Sequence, residues 1–200
     1  MQKRTLPVDR FRNMLPAFTK DPSNLEMLHP FPNNITVAPK PTARKFAHRI
    51  FNDGFTPGTL VFWIHSSACN NSLNDPGTAV IRYIDSETRD WQEQVTISHL
   101  ITPADTESVA VGQALNCAGR LTEYLDQTVV FTDGQRVLHA LKKNQFEGKF
   151  GGEIVGKVLT IANAFFDGGI QVDLHWSPYP PHVKGYHRVD EVSRMHRRLA

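Results

Sequence analysis

The chain has few cysteines and no long apolar segment, and both absences limit what it can be. Only Cys69 and Cys117 occur, too few for a disulfide scaffold or a cysteine-ligated zinc site, so a reducing compartment is predicted. No apolar run reaches the roughly 18 residues that a membrane span needs, so no membrane partner is expected. The first residues carry charge without an apolar stretch behind it. The sequence therefore predicts no secretory signal and an intracellular protein, nuclear or cytoplasmic.

Net charge is low, but its distribution is uneven. Residues 1–56 hold nine Lys or Arg against four acidic residues, a net charge of +5, and residues 182–200 carry +3. Since the whole chain carries +2, the middle carries −6. A nucleic-acid-binding protein with an acidic metal site has this pattern, and so does an ordinary soluble protein with a solvated basic tail.

Proline content divides the chain. Seven of the thirteen prolines precede residue 42, which disfavours long helices and central strands there, apart from a short basic helix predicted over Ala43–Phe51. The turn signal Thr56-Pro57-Gly58 marks a boundary. We therefore predict a basic, proline-rich arm over residues 1–56 and one domain over residues 57–200. At 40% hydrophobic residues, the chain can bury a core.

After residue 57, apolar runs typical of strands alternate with segments of helical period. The predicted order is βββαβααβα, an α/β fold with a mixed five-stranded sheet and helices on both faces. The strands are predicted at 60–64, 78–84, 91–101, 128–132 and 170–176. The helices are predicted near 105–121, 137–141, 151–165 and 185–198.

Three acidic residues and one histidine follow or open these elements. His65 follows the first strand of the domain and Asp133 the fourth, and sites gather at the carboxyl ends of parallel strands. Glu107 opens a helix, and Asp190 lies in the first turn of the last helix. Clustered carboxylates bind Mg²⁺, and two such ions about 4 Å apart can clamp both oxygens of a phosphodiester displacement.

Each of the four residues also has a simpler explanation. Glu107 complements a helix dipole, and Asp133 could cap the helix that follows it. Asp190 could pair with Arg188 or Arg194 on the surface. His65 could be a hydrogen-bonded core histidine.

Four segments occur in the order and spacing of a known family: Val61–Asn71, Thr106–Leu115, Val130–Leu138 and Leu174–Asp190. In that order, the four segments are similar to four features of the family. These are a first strand with its Thr-Asp-Gly-Ser turn, an Ala-Glu-Leu helix, a strand ending in Asp-Ser-Gln, and a Trp-Val-Pro-Gly-His ending. Residues 58 to about 196 thus resemble a type 1 ribonuclease H domain of the fungal and retrotransposon kind. The resemblance implies a ribonuclease H-like fold and cleavage of the RNA strand of RNA–DNA hybrids.

The resemblance also implies cofactors, site residues and partners. It implies two Mg²⁺ (or Mn²⁺) ions held by Glu107, Asp133 and Asp190, with His65 as a substitute ligand and His182 as a proton shuttle. The partner is nucleic acid, either an RNA–DNA hybrid or double-stranded RNA or DNA. The expected nucleic-acid contacts are Ser66, Ser67, Asn70, Asn71, Lys142, Lys143 and Arg188.

The sequence departs from the family at its first metal ligand. His65 stands where the family has an aspartate, and a neutral imidazole has one lone pair, so it cannot bridge two cations. Pro180 replaces the loop histidine, two residues before His182, and only Asp75 or Asp173 could re-supply a carboxylate. We therefore predict a degenerate site: a weakened hydrolase or, alternatively, a catalytically inactive nucleic-acid-binding or interaction module.

Overall fold

A computed structural model describes residues 30–53, 56–67, 77–84, 90–98, 103–121, 125–143, 151–178 and 184–199. Six residues named above lie outside these ranges: Cys69, Asn70, Asn71, Asp75, Pro180 and His182. Within the described ranges, no helix has both the length and the apolar character that crossing a membrane requires.

The chain forms six strands and five helices in the part that the structure describes. The strands are β1 (Asn34–Thr36), β2 (Thr59–Ser67), β3 (Gly77–Ile84), β4 (Trp91–Ser98), β5 (Gln127–Thr132) and β6 (Gln171–Trp176). The helices are α1 (Lys40–Asp53), α2 (Pro103–Leu121), α3 (Gln135–Lys143), α4 (Gly151–Asp167) and α5 (Lys184–Leu199). From β2 onward the order is βββαβααβα, as predicted.

The strands form one mixed sheet in the order β1-β6-β5-β2-β3-β4. Strands β2, β5, β6 and β1 are parallel, whereas β3 and β4 form an antiparallel meander with β2. All five predicted strands are present, and β1 adds a sixth by pairing Ile35 with Leu174. Three residues are too few to produce a periodic pattern, and the prolines around them disfavoured a strand.

Helices cover both faces of the sheet, which confirms the predicted α/β class. One face carries Phe62 and Ile64, and helices α2, α3 and α4 pack against it around a large apolar core. The other face carries Trp63 and Phe131, and residues of α1 and α5 cover it. Alternate residues of β2 therefore face opposite layers, as the period of a strand requires.

The N-terminal segment contributes more structure than predicted. Helix α1 spans Lys40–Asp53, longer than the predicted Ala43–Phe51, and buries Ala43 and Ala47. The ring of Phe46 lies 5.8 Å from that of Phe131 in the sheet. The division of the chain at residue 57 stays a prediction, although β1 and α1 pack on the same sheet as the later elements.

The N-terminus of α2 also differs from the prediction. The helix was expected to begin near Asp105 or Thr106, but it begins at Pro103. Proline suits the first helical position because no hydrogen bond is required of its nitrogen there. The earlier start leaves Glu107 in the second turn of the helix.

Candidate functional site

Strand pairing brings His65 and Asp133 together. Ile64 of β2 is in register with Thr132 of the parallel strand β5, so the next residues of both strands are neighbours at the carboxyl edge of the sheet. The Nδ1 atom of His65 lies 3.2 Å from both Oδ1 and Oδ2 of Asp133. The predicted adjacency of these two strands is therefore confirmed.

Helix α5 supplies the second carboxylate that contacts His65. Val189 and Val192 are buried on the sheet face that carries Trp63, which directs Asp190 toward the sheet edge. The Nε2 atom of His65 lies 3.4 Å from Asp190 Oδ1. The imidazole thus stands between two carboxylates, with one ring nitrogen facing each.

Asp190 has a second cationic partner on its own helix. Arg194 Nε donates to Asp190 Oδ1 at 3.1 Å, and its Nη2 lies 2.9 Å from Oδ2. Arg194 follows Asp190 by four residues, one helical turn, which is the spacing at which side chains meet. The alternative in which Asp190 pairs with Arg194 is therefore confirmed, whereas Arg188 pairs elsewhere.

Glu107 approaches the site from α2. Its carboxyl group lies against Gly134, where an added Cβ would stand only 2.6 Å from Glu107 Cδ. Burial, reinforced by the negative charge of Asp133, raises the pKa of Glu107 to about 7, although His65 and Arg136 oppose the rise. Glu107 is therefore close to half protonated at neutral pH, unlike an exposed carboxyl group.

The surroundings of His65 shift its pKa in the direction that favours the cationic form. Burial lowers the pKa of His65, but the hydrogen bond to Asp133 and the charges of Asp133, Asp190 and Glu107 outweigh it, so the pKa is raised. In the imidazolium form both ring nitrogens carry a hydrogen: Nδ1 donates to Asp133, and Nε2 faces Asp190 as an ion pair. His65 thus matches the alternative of a buried, hydrogen-bonded histidine, with two acidic partners.

Hydrogen bonds made by backbone atoms, with side chains and with other backbone atoms, fix the turn that carries Asp133. Gly134 N donates to Thr132 Oγ1 at 3.0 Å, and Trp176 Nε1 donates to the carbonyl oxygen of Asp133 at 3.2 Å. Ser177 N donates to Thr132 O at 2.7 Å, which continues the β5–β6 ladder to the sheet edge. These bonds hold Asp133 at the end of its strand, facing His65.

The residues present do not fit the predicted two-metal centre. Both oxygens of Asp133 contact His65, and both oxygens of Asp190 contact Arg194, so each carboxylate already has a cationic neighbour. Neither ring nitrogen of His65 has its lone pair directed at an open position. Among the described residues, no group of three or more His, Cys, Asp or Glu side chains has the geometry to hold a metal ion. We therefore derive no chemistry through a bound cation.

Asp173 does not re-supply the missing carboxylate. It lies near the start of β6, at the opposite end of the strand from Trp176 and the sheet edge. Three side-chain amides donate to it: Asn34 at 2.9 Å, Gln127 at 2.6 Å and Gln171 at 2.8 Å. Its carboxylate thus has a structural role between β1, β5 and β6.

The predicted nucleic-acid contacts are dispersed. Ser66 and Ser67 end β2 beside His65 and are half-buried, whereas Lys142 and Lys143 are exposed in the last turn of α3. Arg188 Nε lies 3.0 Å from Glu93 Oε1 on β4, and its Nη1 lies 2.9 Å from Glu191 Oε2. Arg188 therefore ties α5 to an edge strand in this structure.

Two residues of the site were not predicted. Arg136 follows Asp133 by three residues and acts on the Glu107 carboxyl by its charge, and Trp176 holds the Asp133 carbonyl. Trp176 ends a predicted strand, as Thr132 does, and this was the one sequence signal that could have indicated its contact with the Asp133 carbonyl. Arg136 gave no such signal, because its partner lies on another helix.

Comparison with known proteins adds a distant structural likeness. No protein-family model matches the chain, and no curated protein matches it. Among solved structures, the chain is similar to ribonuclease H1 from the halophilic archaeon Halobacterium salinarum NRC-1, at 15% sequence identity and a TM-score of 0.47. The match covers 61% of this chain and 87% of that one.

Proposed function

We propose that this chain is a ribonuclease H-like domain that binds nucleic acid, with RNA–DNA hybrid as its preferred partner, and that His65 keeps its hydrolytic centre inactive. The observation that carries the proposal is the imidazole of His65 between Asp133 and Asp190, 3.2 Å from one and 3.4 Å from the other. Here a side-chain cation stands between carboxylates that a two-metal hydrolase would need for its ions.

The fixed surroundings of the ring support inactivity. His65 and Asp190 are nearly buried, and Arg194 holds the far side of Asp190. For Asp133 and Asp190 to bind a divalent cation, the ring would have to leave both carboxylates, and the hydrogen bond to Asp133 and the ion pair with Asp190 would be lost. Metal-held charge is the main catalytic contribution in this kind of phosphodiester hydrolysis, and each ~1.4 kcal/mol of lost transition-state stabilisation costs tenfold in rate.

A weakened hydrolase is the second candidate function. The observation that favours it is that Glu107, Asp133 and Asp190 still converge on one sheet edge beside position 65. A divalent cation at high concentration could compete with His65 for the two aspartates, most readily Mn²⁺, which accepts nitrogen ligands better than Mg²⁺ does. The two candidates differ in whether the wild-type protein cleaves a hybrid that it binds.

The test combines binding with cleavage. A labelled RNA–DNA hybrid is titrated with the protein at low salt, and is then incubated with it in Mg²⁺ or in Mn²⁺. The variants are His65→Asp, His65→Asn and Asp133→Asn, where His65→Asn is the uncharged control. We expect the wild type to bind without cleaving, and only His65→Asp to acquire cleavage.

Calorimetric titration with Mg²⁺ separates the candidates without relying on activity. The proposal expects no saturable binding by the wild type and binding by His65→Asp. Wild-type cleavage that Asp133→Asn abolishes would instead establish the weakened hydrolase. If neither the wild type nor any variant binds the hybrid, both candidates are wrong.

A further inference from the structure

We infer that helix α1 forms a second phosphate-binding surface that extends the nucleic-acid contact beyond the sheet edge; this inference rests on the proposed function. Four cationic residues, Lys40, Arg44, Lys45 and Arg49, lie within the fourteen residues of α1, which contains one acidic residue, Asp53. No Asp or Glu of the described part of the chain forms an ion pair with any of the four. Lys40, Lys45 and Arg49 are exposed, so their charge is available to an external anion, whereas Arg44 is half-buried with its Nε atom inside the protein.

Two of the cations, Lys45 and Arg49, lie on the outer side of a helix whose inner side packs on the sheet. Ala43 and Ala47 are buried, and the ring of Phe46 lies 4.6 Å from that of His175 and 5.8 Å from that of Phe131. Lys45 and Arg49 are exposed. They are four residues apart, so they project from the same side of the helix.

The charges of α1 oppose the stability of the helix that carries them. Lys40 stands in the first turn, where the helix dipole favours an acidic residue, and Asp53 ends the helix, where a basic residue is favoured. Lys45 and Arg49 repel each other at a spacing of four residues. A role in intramolecular stability does not account for this arrangement, whereas binding to an external polyanion does.

Two other helices of the chain carry charges that favour helix stability. Helix α2 has Asp105 in its first turn and Arg120 in its last. In α4, Glu153 pairs with Lys157 one turn later. Asp167 also ends α4 and Lys184 also opens α5, but α4 has Glu153 in its first turn, whereas α1 has no acidic residue in its first turn and no basic residue in its last.

The sheet relates α1 to the candidate site. Side chains two residues apart on a strand share a face, so Phe131 and Asp133 point to the same side, as do Trp63 and His65. Helix α1 contacts both strands on that side, through Phe46 to Phe131 and through the Phe51 ring, 5.8 Å from that of Trp63. A duplex bound at the sheet edge can therefore extend across the same face toward Lys45 and Arg49.

The chemistry of α1 favours a nucleic-acid backbone over a membrane surface. An amphipathic helix that binds a bilayer inserts its apolar side into the lipid. The apolar side of α1, with Ala43, Phe46 and Ala47, is already packed on the sheet. What remains outside is cationic, and multiple cations on one surface neutralise successive phosphates and release counterions.

The test compares two double variants that remove the same charge from different faces. Lys45→Gln/Arg49→Gln neutralises α1, and the matched control Arg120→Gln/Lys157→Gln removes two cations from α2 and α4 on the opposite side of the sheet. Fluorescence anisotropy with a labelled RNA–DNA hybrid gives Kd at about 50 and 200 mM salt. Each phosphate contact contributes a slope of about −0.9 to the plot of log affinity against log salt.

The ratio of the Kd at about 200 mM salt to the Kd at about 50 mM salt measures the salt dependence of binding. Loss of two phosphate contacts should lower this ratio by about 12-fold in the α1 variant. The control variant should keep the wild-type ratio, and Lys45→Arg/Arg49→Lys, which preserves the charge, should restore it. Thermal melting of the α1 variant should stay close to that of the wild type, since no intramolecular ion pair is removed and only the contact of Arg49 Cζ over the Phe46 ring, at 5.2 Å, is lost.

The remaining outcomes separate this inference from the proposed function. If the wild type binds and both double variants weaken equally, only net charge matters and the α1 surface is refuted. If the α1 variant binds like the wild type, this inference is refuted while the proposed function stands. If the wild type does not bind the hybrid even at the lower salt concentration, the proposed function fails and the α1 surface fails with it.

Discussion

Replacing Glu107 with glutamine should stabilise the fold at neutral and alkaline pH, and should leave its stability near pH 4 almost unchanged. Burial and the charge of Asp133 raise the pKa of Glu107 from the usual 4.5 to about 7 in the folded protein. Between these values the folded protein retains a proton that the unfolded chain releases. The free energy of unfolding therefore falls as pH rises through this window, and the whole cost is present above pH 7.

The pKa difference sets the size of the effect. A rise from 4.5 to about 7 corresponds to about 3 kcal/mol, since each pKa unit is worth about 1.4 kcal/mol. Glutamine has nearly the same shape and does not ionise, so Glu107→Gln avoids this cost. For a chain of 200 residues, about 3 kcal/mol corresponds to roughly 6–12 °C in Tm at pH 8.

Scanning calorimetry of the wild type and Glu107→Gln at pH 4 and pH 8 measures the effect directly. Glu153→Gln is the matched control, because Glu153 is 60% exposed on α4 and pairs only with a neighbouring lysine on the same helix. The Tm difference for Glu107→Gln should grow by several degrees between the two pH values, and that for Glu153→Gln should not. Equal differences at both pH values, or a carboxyl titration of Glu107 by NMR centred below pH 5, would refute the reasoning.

Two further predictions concern the neighbours of Glu107. The pKa of His65 is raised in the folded protein. The stabilisation that His65 contributes is therefore complete below pH 6.5, its ordinary pKa, and is lost as pH rises through the folded-state pKa. The Tm advantage of the wild type over His65→Asn should accordingly shrink on the alkaline side. Calorimetry across pH 5–9 checks this, and a difference independent of pH contradicts it. Gly134→Ala should cost less than about 1 kcal/mol in urea unfolding, because the new Cβ overlaps only the end of the flexible Glu107 side chain, which can move aside. Adding Glu107→Ala should recover most of that loss. If the double variant is no more stable than Gly134→Ala, the overlap with Glu107 is not the cause of the loss.

The order of elements after residue 57 could be predicted because each element carries a strong periodic pattern. Val61, Phe62 and Trp63 are part of a continuous apolar run, which predicts a strand buried on both sides. Both sides of β2 are indeed covered. Strand β1 could not be predicted, because Asn34 and Thr36 are exposed and only Ile35 packs against the core. Its pairing depends on β6, which lies about 140 residues later, and no local pattern encodes such a contact.

The candidate site was predictable in position but not in its charge arrangement. The ends of β2 and β5 located His65 and Asp133, since parallel neighbours end at the same edge. That His65 contacts two carboxylates at once depends on how α5 packs, because Val189 and Val192 set the rotation of that helix. The same packing selects Arg194 over Arg188 as the partner of Asp190, a choice that spacing alone left open.

The charge balance at the sheet edge shows why position 65 matters more than any other. Asp133 and Asp190 are accompanied by Arg194 and by His65, whose pKa is raised by the same carboxylates, and burial keeps part of the Glu107 population neutral at pH 7. The site is thus close to electrically balanced. An aspartate at position 65 would change this charge by two and leave carboxylates that only added cations could neutralise. A balanced site repels phosphate less than an acidic one does. Under the proposed function, a histidine at position 65 would therefore remove the need for metal and also favour binding of nucleic acid without hydrolysis.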